Sequence, residues 1–235
     1  MFFSVGFVCA EDVNQDDLQT NASSEILSQN ANSFTDLSDV IHQQDDTNLT
    51  ADYTFDEEKD NKTLIHINLH GKNHTINGNN HVIDAKGQTN LFHFQNGTIT
   101  ISNLVIKNCN SRSITLYGCT LITNNVTFEN NSEGSAGAAV CAKDSFYYSN
   151  GDKFIDNYAN MGSAIYMIGG GVLINNSIFL NKNHIHWSLI YGENANIYVF
   201  NSIFNNVSSR YATVAYTEGG KIGVYNSKFR NLYVF

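Results

Sequence analysis

From about residue 61 onward, apolar and polar residues alternate in short runs, and the runs recur at a fixed step. The phrase aliphatic-x-aliphatic-x-Asn-x-x-bulky spans Ile99 to Ile106, Leu121 to Phe128, Val172 to Phe179, Ile197 to Phe204 and Ile222 to Phe229. A variant, read with one extra residue, runs from Phe146 to Phe154. The closing bulky residue therefore falls at 106, 128, 154, 179, 204 and 229, in steps of 22, 26, 25, 25 and 25. A second phrase, Ala139-Val140-Cys141, Ala164-Ile165-Tyr166, Leu189-Ile190-Tyr191 and Val214-Ala215-Tyr216, keeps a step of 25. Two phrases on one period identify a repeat protein.

Within each phrase the apolar period is two, as at Ile197 and Val199 or Ile222 and Val224, which is the signature of strands. Asn, Gly, Ser and Thr separate the runs, which are too short for paired helices. A coil of about 25 residues holds three short strands and three turns, so the pattern predicts an all-β fold. The expected architecture is a right-handed parallel β-helix over 61–235, with about seven coils stacked ~4.8 Å apart into a rod of roughly 30–35 Å. Before it, Phe34, Leu37, Val40 and Ile41 fall at helical spacing behind a capping-box start, Ser33 with Asp36. Residues 33–60 then read as an N-terminal cap over the first coil, as solenoids require. The last coil carries no such cap, which predicts end-to-end association through it.

Asparagine recurs in register. Asn103, Asn125, Asn150, Asn176, Asn201 and Asn226 form one set, and Asn108, Asn130, Asp156, Asn181, Asn206 and Asn231 a second. Stacked amides donate and accept along the axis, so both sets are expected to form ladders that satisfy buried turn groups. Asn also tolerates the left-handed conformation of sharp corners.

Composition narrows the function. The net charge is −9 with 13 Lys+Arg and no basic cluster, which disfavours nucleic acid, since phosphate binding needs clustered cations. Proline is absent, excluding Pro-rich linkers. Residues 1–10, apolar and ending Val8-Cys9-Ala10, read as the end of a signal peptide. Residues 11–32, polar and acidic, read as a disordered leader, and export to the cell surface or medium follows. No later run is long enough to span a bilayer. Cys109, Cys119 and Cys141 have no metal-ligand spacing and read as buried thiols.

The repeat also carries a family resemblance. Gly162-Ser163-Ala164-Ile165-Tyr166 with Phe154-Ile155-Asp156-Asn157, and Gly137-Ala138-Ala139-Val140 with Phe128-Glu129-Asn130-Asn131, resemble the GGA(I/L/V) and FxxN motifs of polymorphic outer-membrane-protein repeats. The cap and Ile76 to Asp84 resemble the opening of adhesin-like surface proteins of methanogenic archaea. The resemblance implies a parallel β-helix displayed at the surface, a non-enzymatic adhesin whose partners are glycans or cell-surface proteins. The alternative is a carbohydrate-active enzyme, a polysaccharide lyase or glycoside hydrolase, on the same fold.

Candidate chemistry divides along the same line. Glycoside hydrolysis needs two carboxylates at a set separation, and lyase chemistry needs a base beside a neutralising cation. The best pair on offer is Asp84 with Lys86, and no catalytic set or cofactor is expected. His66, His70 and His74 spread over ~13 Å or more of strand, and His184 with His186 lacks a third ligand, so no metal site is expected. Alternation instead turns Tyr147, Tyr198, Phe200 and Tyr225 outward, where aromatic columns suit sugar stacking or protein contact. Tyr166, Tyr191 and Tyr216 make a further column, whose facing alternation leaves open because both faces of that strand are apolar. Nine N-x-S/T sequons include Asn125, which falls in a ladder expected to be internal.

Overall fold

In a computed structural model that describes residues 31–60 and 64–235, the chain is a parallel β-solenoid of about seven turns behind one short helix. The signal-peptide and leader readings lie outside the described residues, apart from Ala31 and Asn32 at the leader's end.

The helix Phe34–Gln43 starts where its polar pattern places it. Ser33 and Asp36 close a reciprocal capping box, satisfying backbone donors that a first turn leaves free. Asp60 adds to this, accepting from the Phe34 and Thr35 amides at 2.9 and 2.8 Å and from Asp56 N at 2.8 Å. Burial opposes ionisation of Asp60, but these backbone donors outweigh it and lower its pKa. Phe34, Leu37 and Ile41 are buried, with Phe34 edge-on to Phe55 at 5.8 Å. Beyond the helix, Asp46–Asn48 and Tyr53–Thr54 already pair in parallel with residues 75–77 and 83–84, so the cap contributes part of a coil.

Each coil then presents three faces. In the coil of 114–129 the first strand segment covers 114–117, the second 119–124 and the third 126–129, and all pair in parallel with equivalents in the next coil. Later coils keep a 25-residue register: Ile165 lies opposite Ile190, Ile197 opposite Ile222, and Phe179 opposite Phe204. Inside, the bulky residue of the repeat builds a stack of Phe128, Phe154, Phe179 and Phe204, continued by the partly exposed Phe229, with centroids 4.5–5.5 Å apart and planes within 13°.

The corners show what the asparagines do. Asn103, Asn125, Asn176, Asn201 and Asn226 have φ between 48° and 56°, turning the second face into the third within one residue. The equivalent position between Asn125 and Asn176 is Gly151 (φ 69°), not Asn150. The phrase there begins at Tyr147 and carries no extra residue, because Tyr147 pairs with both Leu121 and Val172. Asn150 stands one place earlier on the strand, and its Oδ1 accepts from Asn176 Nδ2 at 3.2 Å. These side chains are exposed or half-exposed at the rim, so the ladder runs along the surface and Asn125 is not internal.

The second register behaves likewise: Asn130 donates to Asn108 at 2.8 Å, and Asn108 to Asp84 at 2.8 Å. Asn108, Asn130, Asp156, Asn206 and Asn231 are left-handed, whereas Asn181 is buried and donates to the Asn157 carbonyl at 2.8 Å. Among the described residues the internal amides are Asn131, Asn157 and Asn181. Asn131 donates to Asn157 Oδ1 at 3.0 Å and accepts from Cys109 N at 2.9 Å. A third corner column alternates Asn96, Gly118, Asp144, Gly169, Asn194 and Gly219, all left-handed. A Cβ on Gly118 or Gly169 would meet the Asn96 or Asp144 carbonyl or carboxyl oxygen at 3.4 or 2.9 Å, so glycine leaves room for its neighbour's side chain.

Candidate functional site

Outward positions of the second face form an aromatic strip. Tyr198 follows Leu173 and Tyr148 in one column, and Tyr225 follows Phe200 in the next. Phe200 and Tyr225 stack at 5.0 Å with planes 14° apart. Gly223 is bare opposite Tyr198, and a Cβ there would strike both Tyr198 and Tyr225. Tyr225 is 50% exposed, Tyr148 43% and Phe146 53%, while Tyr198 and Phe200 are half-buried.

Tyr147 does not belong to this strip. It is fully buried, occupying the inward place of Leu121 and Val172. Three consecutive aromatics, Phe146-Tyr147-Tyr148, give alternation no polar partner to set its phase. The buried hydroxyl lies 3.0 Å from Thr123 Oγ1, within a polar plug of Thr123, Ser149, Asp152 and Ser177. Desolvation raises the Tyr147 pKa well above its ordinary value.

The Tyr166, Tyr191 and Tyr216 column faces away from the solenoid core but not into open solvent. Tyr166 (7% exposed) and Tyr191 (3%) form a second apolar cluster with Ala136, packed by Met161, Ile168, Trp187 and Tyr216. Trp187 sits edge-on to Tyr191 at 5.7 Å and stacks on Tyr211 at 4.4 Å. Tyr166 donates to Glu193, and Tyr191 to Glu218 at 2.9 Å. Desolvation first, then these carboxylates, push both phenol pKa values up. Tyr166 and Tyr191 are thus mostly covered, which the apolar character of both strand faces hid in the sequence.

Beside this cluster the first face opens into a cleft of about 260 Å³. Its lining includes Arg112, Tyr117, Lys143, Met161, Tyr166 and Ile168. Arg112 Nε donates to the Ala136 carbonyl at 3.1 Å. Sequence reasoning passed over Lys143, Phe146 and Tyr148. Lys143 carried a signal, since it follows Tyr117 by one coil in an outward column.

Of the pair weighed for catalysis, the Asp84 carboxylate has structural partners. Asp84 accepts from Lys86 N at 2.9 Å and Asn108 Nδ2 at 2.8 Å, and pairs with Lys107 at 3.5 Å. Lys86 lines a separate depression with Asp56, Glu57 and Gln88. His66 stacks on His93 at 4.5 Å, and His74 reaches Asp45 at 3.2 Å. Desolvation, with His66 second, lowers the His93 pKa. His70 occupies a left-handed turn, and His184 lies 3.3 Å from Ser208 Oγ. Among the described residues no three His, Cys, Asp or Glu side chains converge, and no helix is long and apolar enough to cross a membrane. No protein-family model, curated protein or solved structure matches this chain.

Proposed function

We propose that this chain is a non-catalytic, exported contact module that binds glycans or a partner-cell protein through the aromatic strip of its second face. The observation that carries this reading is the strip's continuity. Phe146, Tyr148, Leu173, Tyr198, Phe200 and Tyr225 occupy adjacent outward columns over successive coils, and four of the six are more than a third exposed. A contiguous exposed apolar patch on a soluble chain marks a binding surface, and flat aromatic faces suit the apolar side of a sugar ring. The engagement of acidic groups supports a role without chemistry. Asp84 and Asp156 join ladder and ion-pair contacts, and Glu193 and Glu218 accept tyrosine hydroxyls.

The test is a glycan array and a cell-binding assay on the wild type and the Tyr198→Ala, Phe200→Ala, Tyr225→Ala triple variant. Binding falls at least tenfold while the β-sheet circular dichroism is retained. Undiminished binding by a folded triple variant refutes the proposal.

A further inference from the structure

We infer that the cleft between Arg112 and Lys143 binds an acidic sugar residue, its anion held by the two cations and its ring lying against Tyr117. The site is on the first face and does not depend on the aromatic strip.

Charge is the first argument. In a chain of net charge −9 with only 13 Lys+Arg, two cations line one cleft. Lys59, Lys72, Lys107 and Lys182 each reach a carboxylate at 3.5–3.9 Å. Among the described residues Arg112 and Lys143 have no such partner, which is equally true of Lys86, Lys153, Arg210, Lys221, Lys228 and Arg230, but these two line the same cleft. The neighbouring Glu133 is engaged instead by the Ser135 and Ala136 amides and the Ser135 hydroxyl. Burial disfavours the Glu133 anion, and these donors, with Arg112 adding its charge, outweigh that and lower its pKa. The Nε bond to Ala136 fixes the Arg112 guanidinium at the rim and uses one of its five donors.

Shape and lining supply the second argument. Drug-sized ligands occupy roughly 300–1,000 Å³, so a cleft of about 260 Å³ suits one sugar ring. A bare inorganic anion would leave the exposed parts of Tyr117, Met161 and Ile168 uncovered, whereas a pyranose presents an apolar face to them. Thr115 and Ser135 add hydroxyls to the lining for the sugar's own. The Tyr166 hydroxyl, tied to Glu193, holds its own ring in place.

Isothermal titration of the full chain with a galacturonate oligomer, a heparin-derived oligosaccharide and a neutral galactose oligomer tests this. At least one acidic ligand binds, weakening as salt rises, and the neutral oligomer binds at least tenfold more weakly. A carboxylate preference assigns a uronate, and a preference for the sulfated ligand assigns a sulfated sugar. The Arg112→Gln, Lys143→Gln double variant loses at least tenfold in affinity, Arg112→Lys retains most of it, and the strip triple variant is unchanged. If loss of the Ala136 contact unfolds the double variant, Lys143→Gln alone serves, because Lys143 is exposed. Equal binding of acidic and neutral oligomers, no binding of either acidic one, or unchanged affinity in folded charge variants overturns the inference. Equal affinity for an oligoglutamate peptide overturns the sugar assignment.

Discussion

Replacing Asp152 with asparagine isolates one buried carboxyl group. Asp152 is fully buried beneath the Gly151 corner, accepting from Val126 N at 2.8 Å, Ser149 Oγ at 2.6 Å and the Thr123 hydroxyl. Burial raises its pKa from 3.8 to about 6, against the pull of these donors. The folded state therefore holds this proton more tightly than the unfolded chain does. Stability from the group is fully present below pH 3.8 and is lost as pH rises through about 6. A shift of about two units corresponds to roughly 3 kcal/mol, of which about 2 kcal/mol falls between about pH 4.5 and pH 7.5. Asparagine keeps the shape and an acceptor for Val126 N, and its amide donates to the hydroxyls, which rotate to accept. Urea unfolding of both proteins across this range measures the effect. Other carboxylates, Asp36 and Glu133 among them, have lowered pKa values and lose stability as pH falls, in wild type and variant alike. The difference between the two proteins thus isolates Asp152, and asparagine gains about 2 kcal/mol relative to wild type over the interval. Parallel pH profiles would refute the reasoning.

Two further outcomes follow from the interior. Phe179 lies 4.5 Å from Phe154 and 4.7 Å from Phe204, so Phe179→Ala costs about 3–5 kcal/mol in urea unfolding; a loss below about 1 kcal/mol contradicts a packed stack. Cys109 is buried, and desolvation pushes its thiol up to about 12. Iodoacetamide at neutral pH therefore leaves the Cys109 peptide unmodified in the folded protein and labels it in urea, as read by mass spectrometry; rapid native labelling contradicts its burial.

The fold was legible because stacking makes equivalent residues neighbours, so one spatial contact repeats as one sequence interval. The Phe stack and the Asn125, Asn176, Asn201 and Asn226 corners show this most directly. Legibility failed where a side chain's neighbours carried no contrast. Phe146-Tyr147-Tyr148 offers no polar residue to set the phase, and Gly151 replaces asparagine while Asn150 beside it mimics the motif. In the pairs Asn130-Asn131 and Asp156-Asn157, both residues are polar, yet the first makes the corner and the second turns inward. The Tyr166 column is covered by Trp187, which reaches it from a segment between strands and has no place in the strand period. The cleft was hidden for a related reason: Arg112 precedes its strand and stands 31 residues before Lys143, off the repeat.

The two proposed binding surfaces lie where the solenoid's constraints are weakest. An inward side chain is packed by the coils above and below, and a corner must accept both a left-handed backbone and its neighbour's amide. Repetition is enforced there. Outward positions meet only their lateral neighbours, so they can diverge without disturbing the stack. The column Tyr117, Lys143, Ile168, Glu193 and Glu218 changes from cationic at Lys143 to anionic at Glu193 two coils on, roughly 10 Å at the usual strand spacing. The parallel column Ile122, Tyr148, Leu173, Tyr198 and Gly223 remains largely apolar over the same coils. Both columns run along the solenoid axis, separated by the narrow corner of Asp144, Gly169 and Asn194. An extended ligand following either column lies parallel to that axis and meets one new side chain per coil. Along the first face such a ligand would pass from cation to anion, whereas the second-face column would present it with largely apolar side chains throughout.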